Sequence, residues 1–216
     1  MILAKKVRLH PTPLQEQKLW QSVGVSRWAY NFALDIKQKT YKETGKAINE
    51  GNIRKLITQM KQTEEYSWLK EVSAQVPKQA VKDLDMAYTR FFKGLGDKPK
   101  FKSRKKSKKS FYNANDKLKV RENKLVNIEK VGWIKTNEQI PIGVKYSNPR
   151  VSFDNKYWYL SVGIEIEEQQ EQLQEQLTDL SLGIDLGVSE LAICSDGTRY
   201  KNINKTRLVR KLEKKL

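Results

Sequence analysis

Two stretches of the sequence hold residues able to do chemistry. In SLGIDLGVSELAICSDGTRY, which starts at Ser181, Asp185 stands in an apolar run. An ionised carboxylate in such a run is costly unless it is paired or bound to a metal. Hard divalent cations take carboxylate oxygens, so one reading of Asp185 is a magnesium ligand. The plainer reading is an exposed aspartate at a strand end, capping a turn. The second stretch is KGLGDKPKFKSRKKSKKS, from Lys93 to Ser110, with nine Lys or Arg and one Asp. Phe101, Phe111 and Tyr112 interleave with or follow its cations. Aromatics can stack on bases while Lys and Arg neutralise phosphates. The plainer reading here is a solvated loop.

The chemistry must be carried by a chain of 216 residues with 42 Lys plus Arg against 25 Asp plus Glu, a net charge of +17. Nucleic acid is the commonest partner of such a charge. Five Trp, nine Tyr and six Phe supply core material, which argues against a disordered chain. No apolar run approaches the roughly 20 residues that span a bilayer. The start, MILAKKV, lacks the apolar region of a signal peptide, so a soluble, cytoplasmic, nucleoid-associated protein is expected. With Cys194 and His10 the only residues of their kinds, an internal disulfide and a Cys- or His-rich metal site are excluded within this sequence.

The elements that would position these residues change type along the chain. Residues 3–9 read as a strand presenting Leu3, Val7 and Leu9. Thr12, Pro13 and Gln15 then form a helix start with a capping box. Leu14, Leu19, Trp20 and Val23 continue that helix, and Gly24 is expected to end it. A second helix is predicted from about Ser26, with Ala29, Phe32, Ala33 and Ile36 on one face. Two helices joined at a glycine resemble a helix-turn-helix. A third helix carries Ile53, Leu56, Ile57 and Met60. A fourth runs from around Pro77 with Ala80, Leu84, Ala87, Tyr88, Phe91 and Leu95 inward.

Beyond the basic stretch, Leu125–Ile128, Val131–Lys135, Val144–Tyr146 and Val151–Phe153 read as short strands. Trp158, Leu160, Val162, Ile164 and Ile166 alternate with other residues, a clear period of two. These strands, with Leu3–Leu9, predict a small antiparallel barrel or curled sheet into which the helices are inserted. EIEEQQEQLQEQL, from Glu165, reads as an acidic linker. After it, Ser181–Asp185, Glu190–Cys194 and Thr198–Tyr200 are predicted strands, with Asp196-Gly197 a hairpin turn. Arg207 to Leu212 would start a basic helix.

A Gly-Ile-Asp-Leu-Gly segment occurs in two unrelated superfamilies. In RNase H-like nucleases several carboxylates converge on two metals. In actin-like and Hsp70-like ATPases the glycine turn approaches a nucleotide phosphate; that version wants Thr or Ser after the second glycine, where this chain has Val188. Taken with KKVRLHPTPLQEQKL, VGVSRWAYNFAL, SWLKEVSAQVPKQAVKDLDMAYTRFFKG, KPKFKSRKKSKKSF and YWYLSV, the sequence resembles the TnpB family over essentially its whole length. These are OrfB-type insertion-sequence proteins, RNA-guided DNA nucleases similar to type V CRISPR effectors.

The resemblance implies an α+β protein. An antiparallel wedge barrel (1–10 and 111–166) would hold an inserted helical recognition unit (11–110) ending in the basic loop. A linker (167–179) would lead to the first strands of an incomplete RuvC-like, RNase H-like domain (180–216). It implies that Asp185 is the first catalytic aspartate and binds Mg2+. Gln75, Lys78 and Gln79 would lie beside target-adjacent duplex DNA. Arg27, Tyr30 and Asn31 would contact nucleic acid; Tyr112 is a further contact candidate from its place beside the cations. Lys98, Lys100, Lys102, Arg104, Lys105 and Lys106 would hold RNA or DNA backbone. Guide RNA, double-stranded target DNA and the element's companion transposase are the implied partners. The family's remaining glutamate, final aspartate and four-cysteine zinc element have no counterparts within 216 residues. One aspartate cannot build a two-metal site, so the chain is expected to bind without cleaving. A nuclease-dead, RNA-guided repressor or transposition regulator is the alternative, and an ATPase fragment a third.

Overall fold

In the computed structural model, the described residues are 2–165, 182–203, 206, 207, 209 and 211. The chain divides into two compact units, Met1–Ile166 and Glu167–Leu216. The expected linker at 167–179 lies outside the described residues, as does most of the expected basic helix after Arg207.

The first unit begins with strand β1 (Ile2–His10). Three helices follow, α1 (Pro13–Thr44), α2 (Glu50–Met60) and α3 (Gln75–Phe92). Strands then run in order: β2 (Lys109–Tyr112), β3 (Lys119–Arg121), β4 (Leu125–Ile128), β5 (Gly132–Thr136), β6 (Lys145–Asp154) and β7 (Tyr157–Glu165). They form one seven-stranded antiparallel sheet in the order β2-β6-β7-β1-β5-β4-β3. β1 therefore lies between β7 and β5, and the helices are an insertion between β1 and the rest of the sheet, as the sequence predicts.

The start of α1 matches its sequence signature. Thr12 Oγ1 accepts from the Gln15 backbone N–H at 3.4 Å, and Gln15 Oε1 accepts from the Thr12 N–H at 3.0 Å. The Gln15 amide also donates to the Trp133 carbonyl at 2.7 Å, fixing the helix start to β5. Its end differs from expectation. α1 does not stop at Gly24 but runs 32 residues to Thr44, where Gly45 closes it with a φ of +67°. A mid-helix glycine costs about 1 kcal/mol relative to alanine. Leu19, Val23, Val25, Ala29, Ala33 and Leu34 are buried on both sides of it and outweigh that cost. The expected helix–turn–helix is a single rod.

The core joins both layers. Val7 and Leu9 of β1, Leu160 and Val162 of β7 and Ile134 of β5 are buried in one cluster with Leu19, Leu34, Ile53 and Leu84 of the helices. On β7, Trp158, Leu160, Val162 and Ile164 are buried and their alternates are not, the predicted period of two. Four further details depart from the sequence reading. The strands expected at Val144–Tyr146 and Val151–Phe153 are one strand, β6, which starts at Lys145 and whose pairing with β7 shifts register between Ser147 and Arg150. Asn148 there has a φ of +46°, so a bulge, not a turn, interrupts the alternation. β2 and β3 were hidden in lysine-rich sequence. Leu95, expected to point inward, is 64% exposed.

The second unit contains a three-stranded antiparallel sheet of β8 (Ile184–Asp185), β9 (Glu190–Cys194) and β10 (Arg199–Lys201), in the order β10-β9-β8. Among the described residues no helix is long and apolar enough to cross a membrane.

A Cβ built on Gly24 meets no atom within 4 Å. Gly24→Ala is therefore expected to stabilise the first unit by up to about 1 kcal/mol, read by denaturant unfolding. Destabilisation would mean that α1 bends there in solution.

Candidate nucleic-acid interface

The basic segment after α3 is not a free tether. Asn31 of α1 holds it through both atoms of its side-chain amide. Its Nδ2 donates to the Lys102 carbonyl at 2.9 Å, and its Oδ1 accepts from the Lys102 N–H at 2.8 Å. The pair of bonds imitates what a neighbouring strand would offer. Lys102 then turns its ammonium inward, with Nζ 3.7 Å from the centre of the Tyr30 ring. Burial pulls the Lys102 ammonium below its ordinary range and pushes the Tyr30 phenol above its own. Beyond this anchor, serines close a turn. The Ser103 N–H donates to Ser107 Oγ at 2.9 Å, and the Lys106 N–H donates to Ser103 Oγ at 3.1 Å. Arg104, Lys105 and Lys106 are exposed on that turn.

An ion pair underlies the anchor. Arg150 of β6 donates through both terminal nitrogens to Asp83 of α3, at 2.9 and 2.8 Å. Gln79, one turn earlier on α3, donates to Asp83 Oδ1 at 2.9 Å. Burial alone would raise the Asp83 carboxyl. The hydrogen bonds from Arg150 and Gln79, with the charges of Arg150 and Lys102, outweigh it and hold the carboxyl below the usual range.

The residues singled out in the sequence thus fall into groups. Tyr30, Asn31, Lys102 and Gln79 meet around this joint: the Asn31 and Gln79 amides are hydrogen-bonded within the protein, and the Tyr30 ring lies against the Lys102 ammonium. Tyr112 donates its hydroxyl to Asn115 Oδ1 at 3.1 Å. Arg27 joins Arg104 and Lys105 on a groove of ≈1030 Å³ beside the first half of α1. Gln75 and Lys78 border a second groove of ≈670 Å³, shared with Arg54, Lys55 and Lys61. Lys98 lines a third, with Tyr41, Tyr88 and Phe92. Lys100 is exposed. Sequence reasoning missed Arg54, Lys55 and Lys61 because α2 was read only for its apolar stripe. It missed Asp83 and Arg150 because nothing local pairs residues that far apart.

In the second unit, Asp185 is exposed on β8 and pairs in register with Ile193. Glu190 reaches Arg199 at 3.5 Å. Asp196 accepts from the Thr198 N–H at 2.8 Å, and that bond lowers its carboxyl. Among the described residues no group of three or more His, Cys, Asp or Glu could hold a metal ion. Asp185 by itself does not fit a two-metal centre.

Comparison with known proteins finds several relatives. A helix-turn-helix domain model of the OrfB/IS605 type matches residues 1–46, where the structure has β1 and the unbroken α1. InsQ of Escherichia coli K12, named as a proposed RNA-guided DNA endonuclease, is 29% identical over 201 residues; the match covers 93% of this chain and 49% of InsQ. A Streptomyces pristinaespiralis protein named likewise is 28% identical over 202 residues, covering 92% of this chain and 49% of its own. A solved Cas12f1 chain, from a complex with single-guide RNA and target DNA, aligns with a TM-score of 0.44 and 12% identity, covering 100% of this chain and 59% of that one. The chain is thus similar at its start to the OrfB/IS605-type helix-turn-helix domain, and over most of its length to proteins named as RNA-guided DNA endonucleases. It spans about half the length of the curated relatives it matches.

The lowered Asp83 carboxyl stabilises the fold wherever it is ionised. That contribution is complete above the unfolded aspartate value of about 3.9 and is lost as pH falls through the lower folded value. Asp83→Asn is expected to cost roughly 1–2 kcal/mol at neutral pH, and the gap to wild type should narrow below about pH 4. Unfolding free energies of both proteins against pH check this; a constant gap would show that charge is not what binds Arg150.

Proposed function

We propose that this chain is the nucleic-acid-binding, N-terminal half of an RNA-guided DNA endonuclease. The observation that carries the reading is the anchored basic turn. Asn31 and Tyr30 hold Lys102, so Arg104, Lys105 and Lys106 are presented from a fixed support. Phosphate contacts of that kind position a nucleic acid without reading its sequence. In an RNA-guided effector the protein needs little more, because base pairing reads the target. The two relatives' names support the same activity for the full-length proteins.

In this reading the seven-stranded sheet acts as the wedge barrel and the helical insert as the recognition unit. The strands around Asp185 open a RuvC-like fold. Guide RNA and double-stranded target DNA are its partners, in the nucleoid of the cell. Asp185 would hold Mg2+ together with carboxylates supplied from outside the described residues.

Because Lys102 is turned inward, the counterion effect should come from the tip of the turn. R104A/K105A/K106A is expected to lower the slope of log affinity against log salt, for a structured RNA, by about 2. A filter-binding titration measures it, and an unchanged slope removes the turn from the interface. Asp185→Ala should leave RNA affinity within about twofold, because the residue lies in a separate unit from the cationic surface. A large loss in the same assay would give Asp185 a binding role.

A further inference from the structure

The groove beside the first half of α1 has a construction that phosphate binding alone does not explain. Trp20 stands on its wall, 37% exposed. Its other side rests on two aromatic rings, 4.8 Å from Phe153 and 4.9 Å from Trp158 between ring centres. Trp158 is only 3% exposed and donates its indole N–H to Glu16 Oε1 at 3.2 Å. Trp20 is thus a supported aromatic surface with one side open. Glu16, the carboxylate bordering the groove, is already engaged by that indole.

One turn along the helix, Gly24 leaves the floor without a side chain, and nothing lies within 4 Å of where a Cβ would stand. Arg27 follows one turn later, so Trp20, Gly24 and Arg27 form a stripe along one face of α1. Opposite stand Arg104, Lys105 and Lys109. None of these four cations is ion-paired among the described residues. An adjoining recess brings Ser26, Ser103, Ser107 and Ser110 beside Arg27 and Arg104.

We propose that this groove binds a single-stranded nucleic-acid segment, with an unpaired base stacked on Trp20 and its flanking phosphates held by Arg27, Arg104, Lys105 and Lys109. The inference rests on the nucleic-acid reading above and deepens it. A double helix would satisfy the cations but leaves no base face free for the indole. An open aromatic face between cations is the arrangement that strand binders use. Gly24 then has a use in the middle of a helix that would be more stable without it. Its missing side chain leaves the space that the backbone of the strand would fill.

The test uses fluorescence anisotropy on the whole chain with three labelled probes. These are a single-stranded RNA of about 12 nucleotides, the DNA strand of the same sequence, and the RNA as a blunt duplex. Trp20→Ala and Gly24→Gln are each expected to weaken single-strand binding about tenfold and duplex binding less than about twofold. Gly24→Gln places a neutral side chain on the floor and improves helix propensity, so lost binding with unchanged or raised unfolding midpoint cannot be misfolding. Whichever strand loses more identifies the ligand as RNA or DNA. If both variants keep full single-strand affinity while R104A/K105A/K106A loses it, the stacking site is wrong and the broader reading stands. If both variants weaken duplex and single strand alike, the groove holds backbone only and the stacking site is again wrong. If wild type binds none of the probes, both readings fail.

Discussion

Asp83 and Arg150 add a directional polar link between α3 and β6 to the apolar core that the helices and the sheet share. α3 belongs to an insertion that leaves the sheet after β1 and returns at β2, while Arg150 sits beside the bulge of β6. Their two-pronged hydrogen bond fixes the angle of the helix as well as its distance, because a guanidinium meets a carboxylate in only a few orientations. Lys102 approaches the same charge and lays its ammonium on Tyr30. The joint therefore sets where the basic segment leaves the helices. The serine-closed turn, the exposed cations and the groove beside α1 all take their positions from it.

Much of the scaffold was legible in the sequence because its signals are local. The Thr12–Gln15 capping box, the alternation through β7 and the apolar stripe of α2 each lie within a dozen residues. Gly24 misled because glycine was weighed alone, when burial on both sides of it decides that α1 continues. The bulge at Asn148 broke one long strand into two apparent short ones. The lysine run leading into β2 masked a strand whose only buried side chain is Phe111.

The candidate site was legible as composition and not as geometry. Nine cations among eighteen residues announced a polyanion. Nothing in that run says that Lys102 turns inward while Arg104 and Lys105 face Trp20. That division depends on Asn31, a residue whose neighbours in sequence are the helix and not the turn. Gln79, expected beside duplex DNA by resemblance, donates to Asp83, and Tyr112, picked out as an aromatic among cations, donates to Asn115. Asp185 stands out in the sequence by its apolar setting and adjacent glycines, and the described residues around it do not complete a metal centre.

The place of β1 in the sheet has a consequence for how the molecule is made. Leu9 pairs with Thr136 and Val7 with Leu160, so this strand precedes both neighbours by more than half the chain. The three helices can form early, since their contacts are local. β1 cannot be hydrogen-bonded on either side until β5 and β7 have been synthesised, and such long-range closure is slow. Until then an exposed strand with two open edges waits beside a finished helical insert. The segment that completes the sheet, β7, therefore governs how long the nascent chain remains vulnerable to mispairing.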